Sequence, residues 1–116
     1  MQYAELTRVQ MLDVLRETGV TYLALAEDAQ PYIVPMYFLL DATGSTPVIR
    51  LLTGSDTRQA AMLRENGQVC LAFSRMGCAW IDSVTALGSA AVCERAGKAE
   101  IAVRVRALSG RRFFLD

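Results

Sequence analysis

The chain has 116 residues, enough for one hydrophobic core and too few for two. Its 12 basic and 12 acidic side chains cancel, so bulk electrostatics favour neither nucleic acid nor an anionic membrane as partner. Histidine is absent, which removes Ser-His-Asp hydrolysis, His-ligated haem and the usual zinc enzymes. Chemistry here must rest on arginine, carboxylates, hydroxyls, thiols or a cofactor.

Apolar residues make up 53%, high for so short a chain, so a second subunit is expected to cover part of that surface. The start, Met1-Gln-Tyr-Ala-Glu5, has neither the basic nor the apolar region of a secretory signal. The longest apolar stretch, 32–40, has strand length rather than bilayer length. Cys70, Cys78 and Cys93 lack CxxC spacing and are read as reduced thiols, small buried hydrophobes in a cytoplasmic protein.

The first predicted element is a helix. Thr7 and Gln10 have capping-box spacing, Leu6 and Met11 suit the accompanying staple, and Thr18-Gly19 ends it. Residues 20–26 read as a strand and 27–30 as a polar hairpin connection. Residues 32–40 form a second strand, apolar on both faces and therefore expected to be covered on both. Pro35 within it predicts a bulge or an edge. After turn chemistry at 41–45, a third strand runs from 48 to 53, and a helix from 56 to 65.

Residues 69–74 are a fourth strand, and 80–93 a long fifth one with a bend at Gly88. The segment 97–108 fits two patterns. Ile101, Val105 and Leu108 make a helical stripe, whereas Ile101, Val103 and Val105 alternate as in a strand. Its Ala and Arg residues are good helix formers, so helix is the favoured reading. A short last strand is expected over 111–115. Arg104, Arg106, Arg111 and Arg112 read as a solvated face rather than a nucleic-acid site. This order argues for a single domain over 1–116, mainly β with helices. It would be a small antiparallel β-barrel with helical caps.

The stretch 49–66 carries the chemistry. An apolar strand ends at Thr53-Gly54, and a helix opens with Ser55, Asp56, Thr57 and Arg58. The first N–H groups of a helix lack partners inside it, and that end is partly positive. Hydroxyls, a glycine and an arginine there suit a phosphate. An ordinary helix start, with Asp56 and Gln59 as a capping box, accounts for the same residues without a ligand.

Four pieces in order resemble the flavin-binding split-barrel proteins related to pyridoxamine 5'-phosphate oxidase, and most closely their short, nitroimidazole-resistance-type branch. They are a helix followed by Leu23–Pro35 (LALAEDAQPYIVP); the strand ending in Thr53; Gly54–Asn66 with Val69–Phe73; and Trp80-Ile-Asp-Ser83-Val84 with Gly88-Ser-Ala90. The resemblance implies a six-stranded antiparallel, Greek-key-like FMN-binding split barrel, paired as a homodimer with the flavin at the subunit interface. Carried onto this chain, Arg58 would hold the phosphate, with Ser55 and Gln59 beside it. Leu52 and Thr53 would line the ribityl phosphate path, and Val34, Pro35, Met36 and Tyr37 would meet the isoalloxazine. Ser83, in the fifth strand, would take a position that in the family often faces the flavin. Gln59 stands where the family usually has a second base, Lys98 is the chain's single lysine, and the branch's usual histidine is missing.

The implied activity is FMN-dependent oxidoreduction of an unidentified small molecule, with NAD(P)H or a flavin reductase as electron donor. True pyridoxamine 5'-phosphate oxidation is not expected, since the sequence ends before the region with which that oxidase binds its substrate. The competing reading is a non-catalytic flavin-binding, electron-transfer or dimerising module. The deazaflavin F420 ranks lower, because its acidic tail would want more bases along the groove.

Overall fold

Residues alternate between core and solvent along most of the chain, and that period-two pattern folds it as sheet. The structure is a computed structural model that describes residues 1–54 and 56–115. In chain order the elements are β1 (Gln2–Glu5), α1 (Arg8–Glu17), β2 (Val20–Glu27), β3 (Gln30–Asp41), β4 (Val48–Gly54), α2 (Arg58–Glu65), β5 (Gln68–Met76), β6 (Trp80–Arg95) and β7 (Lys98–Phe114). All pairings are antiparallel. Six strands close a ring in the order β7-β4-β3-β2-β5-β6, sealed by β6 against β7. This is the six-stranded barrel that the sequence implied. β1, a strand the sequence did not announce, adds to it by pairing with the end of β7, from Gln2↔Phe114 to Glu5↔Arg111.

The seams are unequal. β6 and β7 pair along nearly their whole lengths, whereas β3 meets β4 only from Phe38 to Asp41 and β2 meets β5 only from Tyr22 to Ala24. The barrel interior holds Leu23, Ile49, Leu51, Leu71, Phe73, Val84, Ile101 and Val103, each 2% exposed or less. Fully burying one such side chain stabilises the fold by about 1.5–3 kcal/mol. Val14 and Leu15 of α1, and Met62 and Leu63 of α2, join the same core.

Several expectations are corrected. Residues 98–108 are strand, the first part of β7, with Gly97 in the turn before it, and the short strand expected at 111–115 continues β7 to Phe114. Ala99, Ile101, Val103 and Val105 are all buried, so the two-residue period wins. β4 and β6 supply ladders on both sides, and this pairing overrides the helix propensity of Ala and Arg. One face of β3 is bare within the chain: Ile33, Tyr37 and Leu39 are 67%, 82% and 67% exposed. Of the two outcomes expected at Pro35, the edge is found and the bulge is not. The ladder with β2 runs unbroken, and β4 pairs only beyond it, so Pro35 lies on a local edge where a missing N–H is tolerated. Cys70 is half-buried and Cys78 and Cys93 are exposed, so the cysteines are not core hydrophobes.

Other expectations hold. Thr7 and Gln10 form the reciprocal capping box of α1. The bend at Gly88 is a register shift between Leu87 and Gly88. A Cβ on Gly88 would come 2.5 Å from the Arg104 carbonyl oxygen, so only glycine fits that approach. The β2–β3 connection is a two-residue turn in which Asp28 and Ala29 have φ of 49° and 65°, the hairpin geometry that favours Asn-Gly.

Of the four C-terminal arginines, Arg112 is not a solvated cation. Its Nε and Nη2 donate to both carboxylate oxygens of the buried Asp82, at 2.7 and 2.9 Å. Arg75 donates to Asp82 as well and also reaches Glu17. Trp80 lies against the Arg112 guanidinium, 3.9 Å from its ring centroid. The Arg112 hydrogen bond, reinforced by Arg75, holds the Asp82 carboxyl below the usual carboxylate range despite its burial.

Candidate functional site

β3 turns its odd residues outward beside β4 and α2, and two adjoining depressions run along it. The larger, about 500 Å³, is lined by Pro35, Met36, Tyr37, Phe38, Leu39, Arg50, Leu52 and Gln59. The smaller, about 250 Å³, is lined by Leu25, Tyr32, Ile33, Val34, Arg58, Gln59 and Met62. Gln59 lines both, so the two adjoin there and together make one apolar groove. The short β3–β4 ladder leaves room for it: residues 30–37 of β3 have no β4 partner.

Each end of the groove carries a guanidinium. Arg50, at the Leu39 end, is engaged by Glu100 at 2.7 Å and by Asp41 at 4.0 Å. The Glu100 hydrogen bond raises its pKa further. Arg58, at the Tyr32 end, projects from the first residue of α2 with its side chain 64% exposed. Its Nη2 donates to the Tyr32 hydroxyl at 2.7 Å and to Glu27 at 3.3 Å, and its guanidinium carbon lies 4.6 Å from the Tyr32 ring centroid. On the other side of Arg58 is a polar cleft of about 540 Å³ whose charged lining is Glu27, Asp28 and Glu65 beside Arg58.

The turn into α2 differs from the expected capping box. Thr57, not Asp56, is the N-cap: its hydroxyl accepts from the Ala60 N–H at 3.3 Å. That hydroxyl donates to the Gly54 carbonyl at 2.9 Å, so the Thr53 hydroxyl, 3.0 Å away, donates to Thr57. Both protons are thereby spent inside the turn. Among the described residues, the donors that remain to meet an anion include the Arg58 side chain and the backbone N–H groups of Arg58 and Gln59, which have no partner within the helix.

The structure therefore gathers Val34, Pro35, Met36, Tyr37, Leu52, Arg58 and Gln59 around one groove. Thr53 stands outside it, bonded within the turn. Ser55 lies outside the described residues. Ser83 is exposed on β6, three strands from β3 in either direction around the ring. It shares a separate depression with Glu5, Thr85, Ser109 and Arg111. Residue patterns alone missed Arg50, Ile33, Leu39, Tyr32 and Glu27. Strict alternation outward from Pro35 points to Ile33 and Leu39, but the register that brings Arg50 and Glu27 close is visible only in the fold.

A family model described as pyridoxamine 5'-phosphate oxidase matches residues 7–112. No curated protein matches the chain in sequence. Among solved structures, an FAD-binding protein from Mesorhizobium loti superposes with a TM-score of 0.87 at 18% identity, covering 97% of this chain and 99% of that one. The FAD binding protein from Mycobacterium smegmatis gives 0.80 at 18% identity, with 97% and 99% covered. General Stress Protein 26 from Bacillus anthracis gives 0.74 at 12% identity, with 90% and 95% covered. At these identities the likeness is one of fold. With the family match spanning nearly the whole sequence, the chain belongs to the pyridoxamine 5'-phosphate oxidase family.

Proposed function

We propose that the chain binds FMN as a homodimer and serves as an oxidoreductase for a small molecule. One observation carries this reading: apolar depressions of about 500 and 250 Å³ meet at Gln59 and reach an exposed guanidinium at the start of a helix, where backbone N–H groups have no partner within the helix. An aromatic ring with an anionic tail fits that donor set. FMN supplies the redox chemistry when bound, and the polypeptide supplies binding, orientation and electrostatics. Pro35, Tyr37 and Leu52 would hold the ring in an apolar setting, and Arg58 would neutralise the phosphate. Gln59 would contribute hydrogen bonds without charge.

The structural neighbours described as FAD-binding raise the dinucleotide as an alternative. The cleft beyond Arg58 favours the mononucleotide: its lining carries three carboxylates and one guanidinium, so a second phosphate would enter a net negative field. Support for the dimer comes from the bare face. Val20, Tyr22, Ile33, Tyr37, Leu39 and Leu52 are exposed together on the outside of β2, β3 and β4, where the groove opens. A patch of that kind marks an association site. Ser83 would meet a flavin only from the partner copy, because its own groove lies three strands away.

Purified protein titrated with FMN should quench flavin fluorescence and sediment as a dimer. Absence of quenching at micromolar protein would reject the flavin reading. Turnover of NADH or NADPH with added acceptors then separates an enzyme from a carrier.

A further inference from the structure

Arg58 meets the groove already held. Tyr32 grips it twice, through its hydroxyl at 2.7 Å and its ring face at 4.6 Å, while Glu27 shares the same Nη2 at 3.3 Å. These two partners act differently on an arriving anion. Tyr32 is neutral, so it fixes the guanidinium in one orientation without opposing the ligand's charge. Glu27 adds little orientation, since an exposed ion pair of this length is weak. Its carboxylate nonetheless stands where it repels a phosphate and competes for the cation. Asp28 and Glu65 line the same cleft and add to that field.

Resting on the flavin reading above, we propose that Glu27 sets the selectivity of this site between phosphorylated and unphosphorylated flavins, by sharing Arg58 with the ligand's phosphate while Tyr32 holds the guanidinium in position. Glu27 is thus a specificity-determining residue and Tyr32 a positioning residue. Both sit on the β2–β3 hairpin: Glu27 lines neither depression of the groove, and Tyr32 lines only its Arg58 end, away from Pro35 and Tyr37. Changes at either should act on the phosphate end alone.

The test is a fluorescence titration of the full chain with FMN and with riboflavin, for wild type, Glu27→Gln and Tyr32→Phe. Glu27→Gln keeps the side chain's shape and removes its charge. It should tighten FMN binding about 5- to 10-fold, the sum of a lost competitor and a lost like charge, and leave riboflavin unchanged. Tyr32→Phe keeps the ring and removes the hydroxyl, and should weaken FMN about 3-fold with riboflavin again unchanged. Added salt should narrow the gap between Glu27→Gln and wild type. An unchanged ratio of FMN to riboflavin affinity in Glu27→Gln overturns the proposal while the flavin site stands. Shifts of equal size for both ligands assign Glu27 a structural role and also overturn it. If neither flavin binds any of the three proteins, the flavin reading and this inference fall together. A merely structural hairpin would not move the two variants in opposite directions for one ligand only.

Discussion

Replacing Asp82 by asparagine removes a buried anion from between two arginines. The carboxylate accepts from Arg75 at 2.8 and 3.3 Å and from Arg112 at 2.7 and 2.9 Å. Asparagine keeps one acceptor but turns an NH2 group toward guanidinium donors. Breaking a buried pair from one side typically costs about 3–5 kcal/mol. The lower end applies here, because the Arg75 and Arg112 side chains retain 20% and 30% exposure and can be rehydrated, and Arg75 keeps Glu17. With a urea slope of about 1.5–2 kcal/mol/M, a loss of about 3 kcal/mol lowers the midpoint by about 1.5–2 M.

The pH dependence supplies a second readout. The carboxyl is held below its unfolded value of about 3.9, chiefly by the Arg112 hydrogen bond. Its contribution is therefore complete above that value and is lost as pH falls through the folded pKa. Urea midpoints taken from pH 6 down to pH 3 should fall more steeply for wild type than for Asp82→Asn. A midpoint change under about 0.3 M, or identical acid slopes, would refute the assignment of Asp82 as a stabilising buried ion.

Arg58→Ala should weaken FMN by about 10- to 100-fold, the scale of a charge-assisted hydrogen bond, while sparing riboflavin; equal losses for both would detach Arg58 from the phosphate. Leu39→Glu places a charge in the bare β3 face and should shift sedimentation from dimer to monomer, whereas an unchanged profile would move the association surface elsewhere. Ala29→Gly relieves a φ of 65° in the β2–β3 turn. It should stabilise the fold by about 0.5–1 kcal/mol, and a lower melting temperature would contradict that.

Much of the barrel can be read from local signals. Thr7 and Gln10 announce α1, Asn66-Gly67 marks the end of α2, and Gly88 marks the bulge in β6. What stayed hidden depends on distant partners. β1 becomes a strand only because the last residues of β7 lie beside it. Residues 98–108 become strand because β4 and β6 flank them. The site divides in the same way. Arg58 stands out from its place at a helix start, whereas Gln59 and residues 34–37 follow from the family resemblance. The grip of Tyr32 and Glu27, and the spent hydroxyls of Thr53 and Thr57, follow from the register of a hairpin and the geometry of one turn. Ser83 has the right sequence context, yet sheet order puts it in another depression.

The brief union of β3 with β4 has a kinetic corollary. Amides between Phe38 and Leu51 there rest on few neighbours, while those joining β6 to β7 are zipped along most of two long strands. Deuterium should accordingly enter the first region through local opening, well before the second exchanges. Any molecule lodged along Pro35 to Leu39 would act as a splint across that weak join and slow its labelling far more than that of the hairpin.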